Sequence, residues 1–398
     1  MIEQAVFKDF IKTEYGRGNA VAGLGMQSND GFSIGSSFTL YQQDPNAIPS
    51  GPSGGSVGPM EHANNLKVPK SSEDETYTTL QILAERWAMS NGFNPDQLTE
   101  FGHLMSMVTS TYIPRNKLKA LKEIDSGSFG KIFATSYDGA PVAVKQISNK
   151  SGECTIKSKM RELLLELRIL VRIRHPNIVT FWGTATEFPT NENPVQPYIG
   201  LVFELCEKGS LHHALFDGKN APLKISQKIK IAHQVALGLA YLHGKRIIHR
   251  DINTRNILLS NDLSAKIADF GCARVLAPNC KSLKTTTISG SPAYMAPEQL
   301  QGQELTESVD NWALAVVLWE IMMDKKPWEG RFSDFKYLKA AVLNGEKLHL
   351  PVDPRPYPPC YVNMIKLGMQ YKASDRPPSS FMEAELHNAL RMVTSGRA

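Results

Sequence analysis

The feature that most constrains this chain is a polar segment at residues 249–256, His-Arg-Asp-Ile-Asn-Thr-Arg-Asn. A helix-like run precedes it, and a short apolar strand is predicted at 257–259. Asp251 is a carboxylate on a loop, where it can accept a proton from a hydroxyl nucleophile. Asn256 and, thirteen residues later, Asp269 of an Asp-Phe-Gly sequence offer oxygen atoms of the kind that Mg²⁺ prefers. Two carboxylates and an amide in this order indicate a phosphoryl-transfer centre.

Composition limits the class of protein. At 398 residues the chain has room for two or three domains, and its 42% hydrophobic content can form a core. No apolar run reaches about 18 residues and the N-terminus lacks a basic and apolar leader, so we expect neither a membrane-spanning helix nor secretion. Five scattered cysteines favour a reducing compartment, and we expect a cytoplasmic protein. The net charge of +5 does not indicate nucleic-acid binding.

Two regions of different character precede the polar segment. Residues 1–72 are predicted to be low-complexity and disordered, since glycine, serine and proline dominate 45–59. Residues 73–117 have apolar residues at helical spacing, with a break at 91–95, and predict a helical hairpin that ends before Pro114. Two interpretations of this hairpin stay open: a structural extension, or a segment that regulates the protein or binds a partner.

From residue 118 the pattern becomes strand-like, with a glycine-containing turn at 125–130. Glycines in such a turn let backbone amides approach phosphate oxygens. Lys145 is a single cation on an apolar strand, and a buried lysine needs a carboxylate or a phosphate as partner. An amphipathic helix at 160–173 carries Glu166, and a mainly helical half begins near residue 209. The predicted strands lie at 121–124, 131–135, 141–147, 178–183 and 198–205.

With these features in order, the chain resembles the eukaryotic protein kinase family from residue 118 to about 392. Three later segments also resemble the family: 291–298, which ends Ala-Pro-Glu, Asp310-Asn311-Trp312, and Asp375-Arg376-Pro377. The resemblance implies an α+β, two-lobed fold. Its small lobe (118–205) would have an antiparallel sheet and one helix, and its large lobe (206–392) would be mainly helical. The short inserts and the run 318–320 are most similar to the tyrosine-kinase-like group.

The resemblance also implies a role for each matching position. Asp251 would be the catalytic base, assisted by Asn253, and Asn256 and Asp269 would hold Mg²⁺. Lys145 would contact the α and β phosphates of ATP and form an ion pair with Glu166. Glu298 and Arg376 would pair in the large lobe. The residues that would bind the nucleotide are Ile124, Gly127, Ser128, Gly130, Ile132, Ala143, Lys145, Phe203, Glu204, Cys206 and Leu258.

The chain departs from the family pattern at a few positions. Asp125 replaces the first glycine of the phosphate-binding turn, and its charge is expected to weaken or tune ATP binding. Asn253 replaces the lysine that is usual in Ser/Thr kinases and is also missing in tyrosine kinases, so it leaves the acceptor open. The segment 291–298 resembles the family's substrate-docking segment (hereafter the docking segment), and its Ser291 keeps the hydroxyl of the usual threonine, which favours Ser/Thr over Tyr. Ala315 replaces a glycine common in the large-lobe helix.

The resemblance places a regulatory phosphate on Thr287, eleven residues before Glu298, with Arg250 as a cationic partner. The implied partners are protein substrates and an upstream kinase, while the oligomeric state is left open. Two alternatives to an active Ser/Thr kinase stay open. One is a pseudokinase or scaffold that binds nucleotide or partners without turnover, and the other is a kinase with tyrosine specificity.

Overall fold

In the computed structural model, the residues described are 73–119, 121–127, 130–147, 155–190, 197–218, 221–284, 288–332 and 334–396. The predicted low-complexity region, 1–72, lies outside them, as do Ser128 and Thr287.

The smaller half of the described chain is a six-stranded sheet in the order β1-β5-β6-β4-β3-β2. Every neighbouring pair is antiparallel except β1 and β5. In β4, Val142 and Val144 are fully buried on one face, so the alternation of a strand turns Lys145 to the other face. The strands are β1 (Tyr112–Pro114), β2 (Lys122–Gly127), β3 (Gly130–Tyr137), β4 (Ala140–Gln146), β5 (Phe181–Glu187) and β6 (Tyr198–Glu204).

Two helices precede β1: α1 (Glu73–Ser90) and α2 (Pro95–Ser110). Asn94 and Gln97 form a capping box at the start of α2, and Pro95 occupies the first turn, where its missing N–H costs nothing. The predicted hairpin did not include β1, which extends the sheet by pairing in parallel with β5. A run of three residues has no periodicity that the sequence could reveal.

The helix that follows β4, α3 (Thr155–Leu170), begins before and ends before the predicted range 160–173. The next strand also differs from its predicted range, 178–183, because Val179 donates its backbone N–H to the Ile267 carbonyl at 2.9 Å. This bond ties the segment to the large lobe, and β5 therefore begins only at Phe181.

The larger half is built around α7 (Ser308–Met323), which is buried on all sides from Val309 to Met322 and forms its central helix. Arg376 binds Glu298 with two hydrogen bonds of 2.6 and 2.8 Å beside it. The other helices are α4 (Leu211–Phe216), α5 (Ile225–Gly244), α6 (Pro297–Gln301), α8 (Phe335–Leu343), α9 (Pro359–Gly368) and α10 (Ser379–Thr394). The short strands are β7 (Ile247–Ile248), β8 (Ile257–Leu259), β9 (Ala265–Ile267) and β10 (Arg274–Val275). The architecture confirms the predicted two-lobed α+β fold class.

Helices α7 and α9 meet where Ala315 faces Gly368. A Cβ atom at Gly368 would lie 2.5 Å from the Ala315 Cβ and 3.1 Å from the Asn311 carbonyl oxygen. The two positions therefore share space for one methyl group, which explains how α7 accommodates Ala315.

We predict that Gly368→Ala destabilises the protein by about 1–3 kcal/mol, because it overpacks this crossing. Adding Ala315→Gly should recover part of that loss in a double-mutant cycle. Urea unfolding measures both effects. Gly244→Ala, at a helical glycine whose Cβ would meet nothing within 4 Å, is the matched control. Strict additivity of the two changes would contradict the shared methyl space.

Candidate active site

A lysine and two carboxylates from three different elements converge in the structure. Lys145 Nζ on β4 lies 2.8 Å from Glu166 Oε1 on α3. The same nitrogen lies 3.0 Å from Asp269 Oδ1, in the loop after β9. The exposed fraction is 14% for the Lys145 side chain and 8% for that of Glu166. Ion pairs this sheltered are screened far less by salt than surface pairs.

The charges of this cluster are strongly coupled. Burial alone would lower the pKa of Lys145, but the charges and hydrogen bonds of Glu166 and Asp269 outweigh it and raise that pKa above its ordinary value. Burial would raise the pKa of Asp269, but the Lys145 ammonium and the Gly271 N–H lower it. Burial raises the pKa of Glu166, with Lys145 acting against it. The arrangement therefore keeps an ammonium beside an ionised Asp269.

Asp251 is oriented by three donors. Its Oδ1 accepts from Asn253 Nδ2 at 2.9 Å and from the Ser291 backbone N–H at 2.8 Å. Its Oδ2 accepts from Asn256 Nδ2 at 2.9 Å. Asn253 also donates to Ser291 Oγ at 3.1 Å, and its own oxygen accepts the Arg255 N–H at 2.9 Å. The carboxylate is thus held in one orientation by the loop that follows it and by the segment around Ser291.

Asn256 and Asp269 fit a hard divalent cation by donor chemistry. The amide nitrogen of Asn256 is engaged by Asp251, which fixes its orientation. Among the described residues no donor contacts the Asn256 amide oxygen. Asp269 adopts φ of 62° and accepts the Gly271 N–H at 3.3 Å, and its lowered pKa keeps it anionic. An amide oxygen and an ionised carboxylate suit Mg²⁺.

The predicted nucleotide-binding positions lie on β2, β3, β4, β6 and the segments that follow. Ile132 pairs with Lys145 and Ala143 pairs with Phe203, so these positions are neighbours across the sheet. The Glu204 side chain is directed elsewhere, because it accepts from the Thr180 N–H at 2.7 Å and Lys266 Nζ at 3.0 Å. The Glu204 backbone N–H donates to the Thr180 carbonyl at 3.0 Å, so the Glu204 carbonyl is the group left for a nucleotide. Gly127 and Gly130 pair where β2 turns into β3, Ile124 and Leu258 lie on β2 and β8, and Cys206 follows β6.

Comparison with known proteins agrees with this geometry. Residues 118–386 match the family model described as protein tyrosine and serine/threonine kinase. The match covers more than half of the chain. The chain belongs to this protein kinase family.

Several curated kinases are similar to this chain. A probable serine/threonine-protein kinase of Dictyostelium discoideum is 36% identical over 217 residues, covering 54% of this chain and 22% of the relative. The serine/threonine-protein kinase CTR1 of Arabidopsis thaliana is 31% identical over 242 residues, covering 60% and 28%. STY46 of the same plant is 27% identical over 342 residues, covering 84% and 56%. The chain thus spans from about a fifth to about half the length of these relatives.

Asp310 holds the loop that carries Asp251, a role that the sequence did not reveal. Asp310 is fully buried at the start of α7. Its carboxylate accepts the backbone N–H groups of His249 and Arg250 at 2.8 and 2.7 Å, and lies 3.0 Å from His243 Nε2. Charge-assisted bonds of this kind are about twice as strong as neutral ones. The only signal in the sequence was its place in the Asp-Asn-Trp motif.

Arg250 was predicted as a partner for a phosphate on Thr287. Its side chain is buried, its backbone has φ of 69°, and its Nη1 lies 3.4 Å from the Cys272 carbonyl oxygen. Burial lowers the pKa of Arg250, and the charge of Arg274 lowers it further. Two guanidinium groups near each other attract an anion. Thr287 itself lies outside the described residues, so its pairing stays a prediction.

A second buried network involves Tyr294 of the segment 291–298. Tyr294 donates its hydroxyl to Glu320 Oε2 at 2.7 Å, and Thr254 donates to Glu320 Oε1 at 3.1 Å. Glu320 is fully buried in α7, and burial raises its pKa to about 7. The folded protein therefore holds a proton on Glu320 that the unfolded chain releases near the ordinary pKa of 4.5.

We predict that Glu320 makes stability fall with rising pH. Its contribution is complete below about pH 4.5 and is lost as the pH rises through about 7, because the folded-state pKa is the higher one. A shift of this size corresponds to about 3 kcal/mol. Urea unfolding across this pH range should show that the free energy of unfolding decreases less with rising pH in Glu320→Gln than in the wild type. Glu207→Gln, at an exposed position, is the control and should show the same pH dependence of the free energy of unfolding as the wild type. The same pH dependence in Glu320→Gln would refute the assignment.

Proposed function

We propose that this chain is an ATP-dependent protein kinase that transfers the γ-phosphate to serine and threonine hydroxyls. The observation that carries the proposal is the Lys145 cluster, in which the ammonium pairs at 2.8 Å with Glu166 while it also contacts Asp269 at 3.0 Å. Phosphoryl transfer depends on positioned charge rather than on covalent chemistry. A lysine held between two carboxylates has a fixed position before any substrate arrives.

Asp251 is the group best suited to receive the hydroxyl proton of the acceptor. Its two oxygens are held by Asn253, Asn256 and Ser291, so the carboxylate needs little reorganisation when an acceptor binds. The bond from the Ser291 N–H connects the Asp251 carboxylate to the docking segment. General base assistance of this kind contributes about 10²–10⁴-fold to a rate.

Lys145 would meet the α and β phosphates of ATP, which add negative charge beside its ammonium. Asn256 and Asp269 are the residues that would hold Mg²⁺, which neutralises phosphate charge when it is bound. Glu166 keeps Lys145 from turning fully toward Asp269, because its carboxylate shares the ammonium. The backbone of 204–206 and the apolar side chains of Ile132, Ala143 and Leu258 would hold the adenine.

Preference for serine and threonine is supported by the position of the docking segment. Ser291 contacts Asp251 through its backbone N–H at 2.8 Å and Asn253 through its hydroxyl at 3.1 Å. The Ser291 hydroxyl stands where serine/threonine kinases usually have a threonine, and it contacts the loop that carries Asp251. The relatives named above are serine/threonine-protein kinases by name. The proposed partners are protein substrates and an upstream kinase acting on Thr287.

The test is to incubate the purified chain with Mg²⁺ and ATP, with generic protein substrates added, and to map new phosphates by mass spectrometry. We predict phosphoserine and phosphothreonine with the wild type and a rate at least about 100-fold lower with Asp251→Asn, because the base is lost. Asp138→Asn is the matched control. Asp138 is exposed in a turn with φ of 45°, a conformation that asparagine tolerates.

Each outcome of this experiment decides between the open interpretations. Phosphotyrosine as the main product would replace the serine/threonine assignment with tyrosine specificity. Equal incorporation by wild type and Asp251→Asn would remove Asp251 from the chemistry. Nucleotide binding without phosphate transfer in any sample would favour a scaffold.

A further inference from the structure

The helical hairpin at 73–110 lies outside the matched kinase domain, yet its second helix carries an apolar stripe. In α2 the fully buried residues Phe101, Leu104, Met105 and Val108 follow one another at the spacing of a single helix face. In α3 the buried residues Met160, Leu163, Leu164 and Leu167 follow the same spacing. The two helices pack against each other, and all eight side chains belong to one hydrophobic core.

Helix α3 is the element that presents Glu166 to Lys145. At 3.6 residues per turn, Glu166 lies roughly 110° around the helix from the centre of the α3 stripe. The contact with α2 and the ion pair with Lys145 are therefore on different sides of the same helix. A helix held along one side in this way has its rotation and distance from the sheet fixed.

The hairpin is also attached to the sheet that carries Lys145. The Thr184 N–H donates to the Thr111 carbonyl at 2.7 Å, and the two threonine hydroxyls lie 3.0 Å apart. Arg115 binds Glu187 at 2.7 Å just beyond β1. The hairpin therefore joins α3 to β5, and β5 pairs through β6 with β4.

An aromatic cluster packs the hairpin against the same lobe. Trp87, Phe93 and Phe101 form edge-on and tilted contacts within the hairpin, with ring centroids 5.4 to 6.1 Å apart. Phe188, which follows β5, contacts both Trp87 at 5.8 Å and Phe101 at 6.2 Å. Such aromatic pairs stabilise the packing beyond the area that they bury.

We propose that residues 73–114 are a built-in positioning element, which holds α3 so that Glu166 meets Lys145, and that the rate of phosphoryl transfer depends on it. This inference rests on the proposed kinase activity. Of the two interpretations that the sequence leaves open for the hairpin, the inference favours a segment that regulates the protein over a purely structural extension. The hairpin covers the apolar stripe of α3.

Gly183 on β5 offers a way to separate the hairpin from the sheet without touching the catalytic residues. A Cβ atom there would overlap the Thr111 carbonyl oxygen and lie 2.9 Å from Ile113 Cδ1. Gly183→Ala therefore pushes β1 away from β5. Gly102→Ala in α2 is the matched control, because its Cβ would meet nothing within 4 Å and alanine favours the helix. Met105→Asp, which inserts a charge between the two stripes, is the second variant.

We predict that Gly183→Ala and Met105→Asp lower kcat by about 10- to 100-fold, since small misplacements of catalytic groups have effects of this size. The KM for the protein substrate should stay within about twofold, because the docking segment lies in the large lobe. Amide hydrogen exchange should become faster in α3 and stay unchanged in α5 and α7. Gly102→Ala should match the wild type in all three measurements.

Two results would overturn the inference. One is a wild-type kcat in both variants. The other is a loss of kcat accompanied by faster exchange throughout α5 and α7, which indicates a general structural role. If the wild type itself transfers no phosphate, the proposed function fails, and hydrogen exchange in α3 alone decides whether the hairpin positions that helix.

Discussion

The structure depends on how it accommodates one buried ammonium. Lys145 is mostly removed from water, and an unpaired charge there would be costly. Glu166 and Asp269 together offset that cost, and because they come from α3 and from the loop after β9, the ion pairs also tie both elements to β4. If either carboxylate were removed, the remaining ion pair would connect β4 to only one of the other two elements. The same interaction therefore contributes to stability and assembles the candidate active site.

A second constraint acts on the loop that carries Asp251. Its backbone N–H groups at His249 and Arg250 bind Asp310 of the buried α7, and the Asp251 carboxylate is in turn bound by Ser291. Asp251 is thus connected through its own loop to the buried helix α7 of the large lobe. The Lys145 cluster, which joins residues of both lobes, and the loop that carries Asp251 each hold their charged groups in place, and phosphoryl transfer depends on such positioning.

The sequence predicted the local parts of this arrangement better than its long-range parts. Lys145 on an apolar strand and Asp251 on a polar loop were visible because strand alternation and motif spacing are local signals. The partners of Asp310 and the Tyr294–Glu320 bond were not visible, since they join residues 61 and 26 positions apart and no matched motif pairs them. The Glu298–Arg376 pair, 78 positions apart, was predicted only through the family resemblance. Strand β1 was also missed, because its only evidence is the pairing with β5. No helix among the described residues is long and apolar enough to cross a membrane.

The most direct test of the central interaction is the kcat of Glu166→Gln, measured beside Glu162→Gln, an exposed position on the same helix. The amide keeps the size of Glu166 but cannot balance the Lys145 charge, so kcat should fall by about 100-fold while the protein stays folded. Glu162→Gln should retain the wild-type rate. A Glu166→Gln enzyme with a rate within about twofold of wild type would contradict the central role of the Lys145 cluster in catalysis.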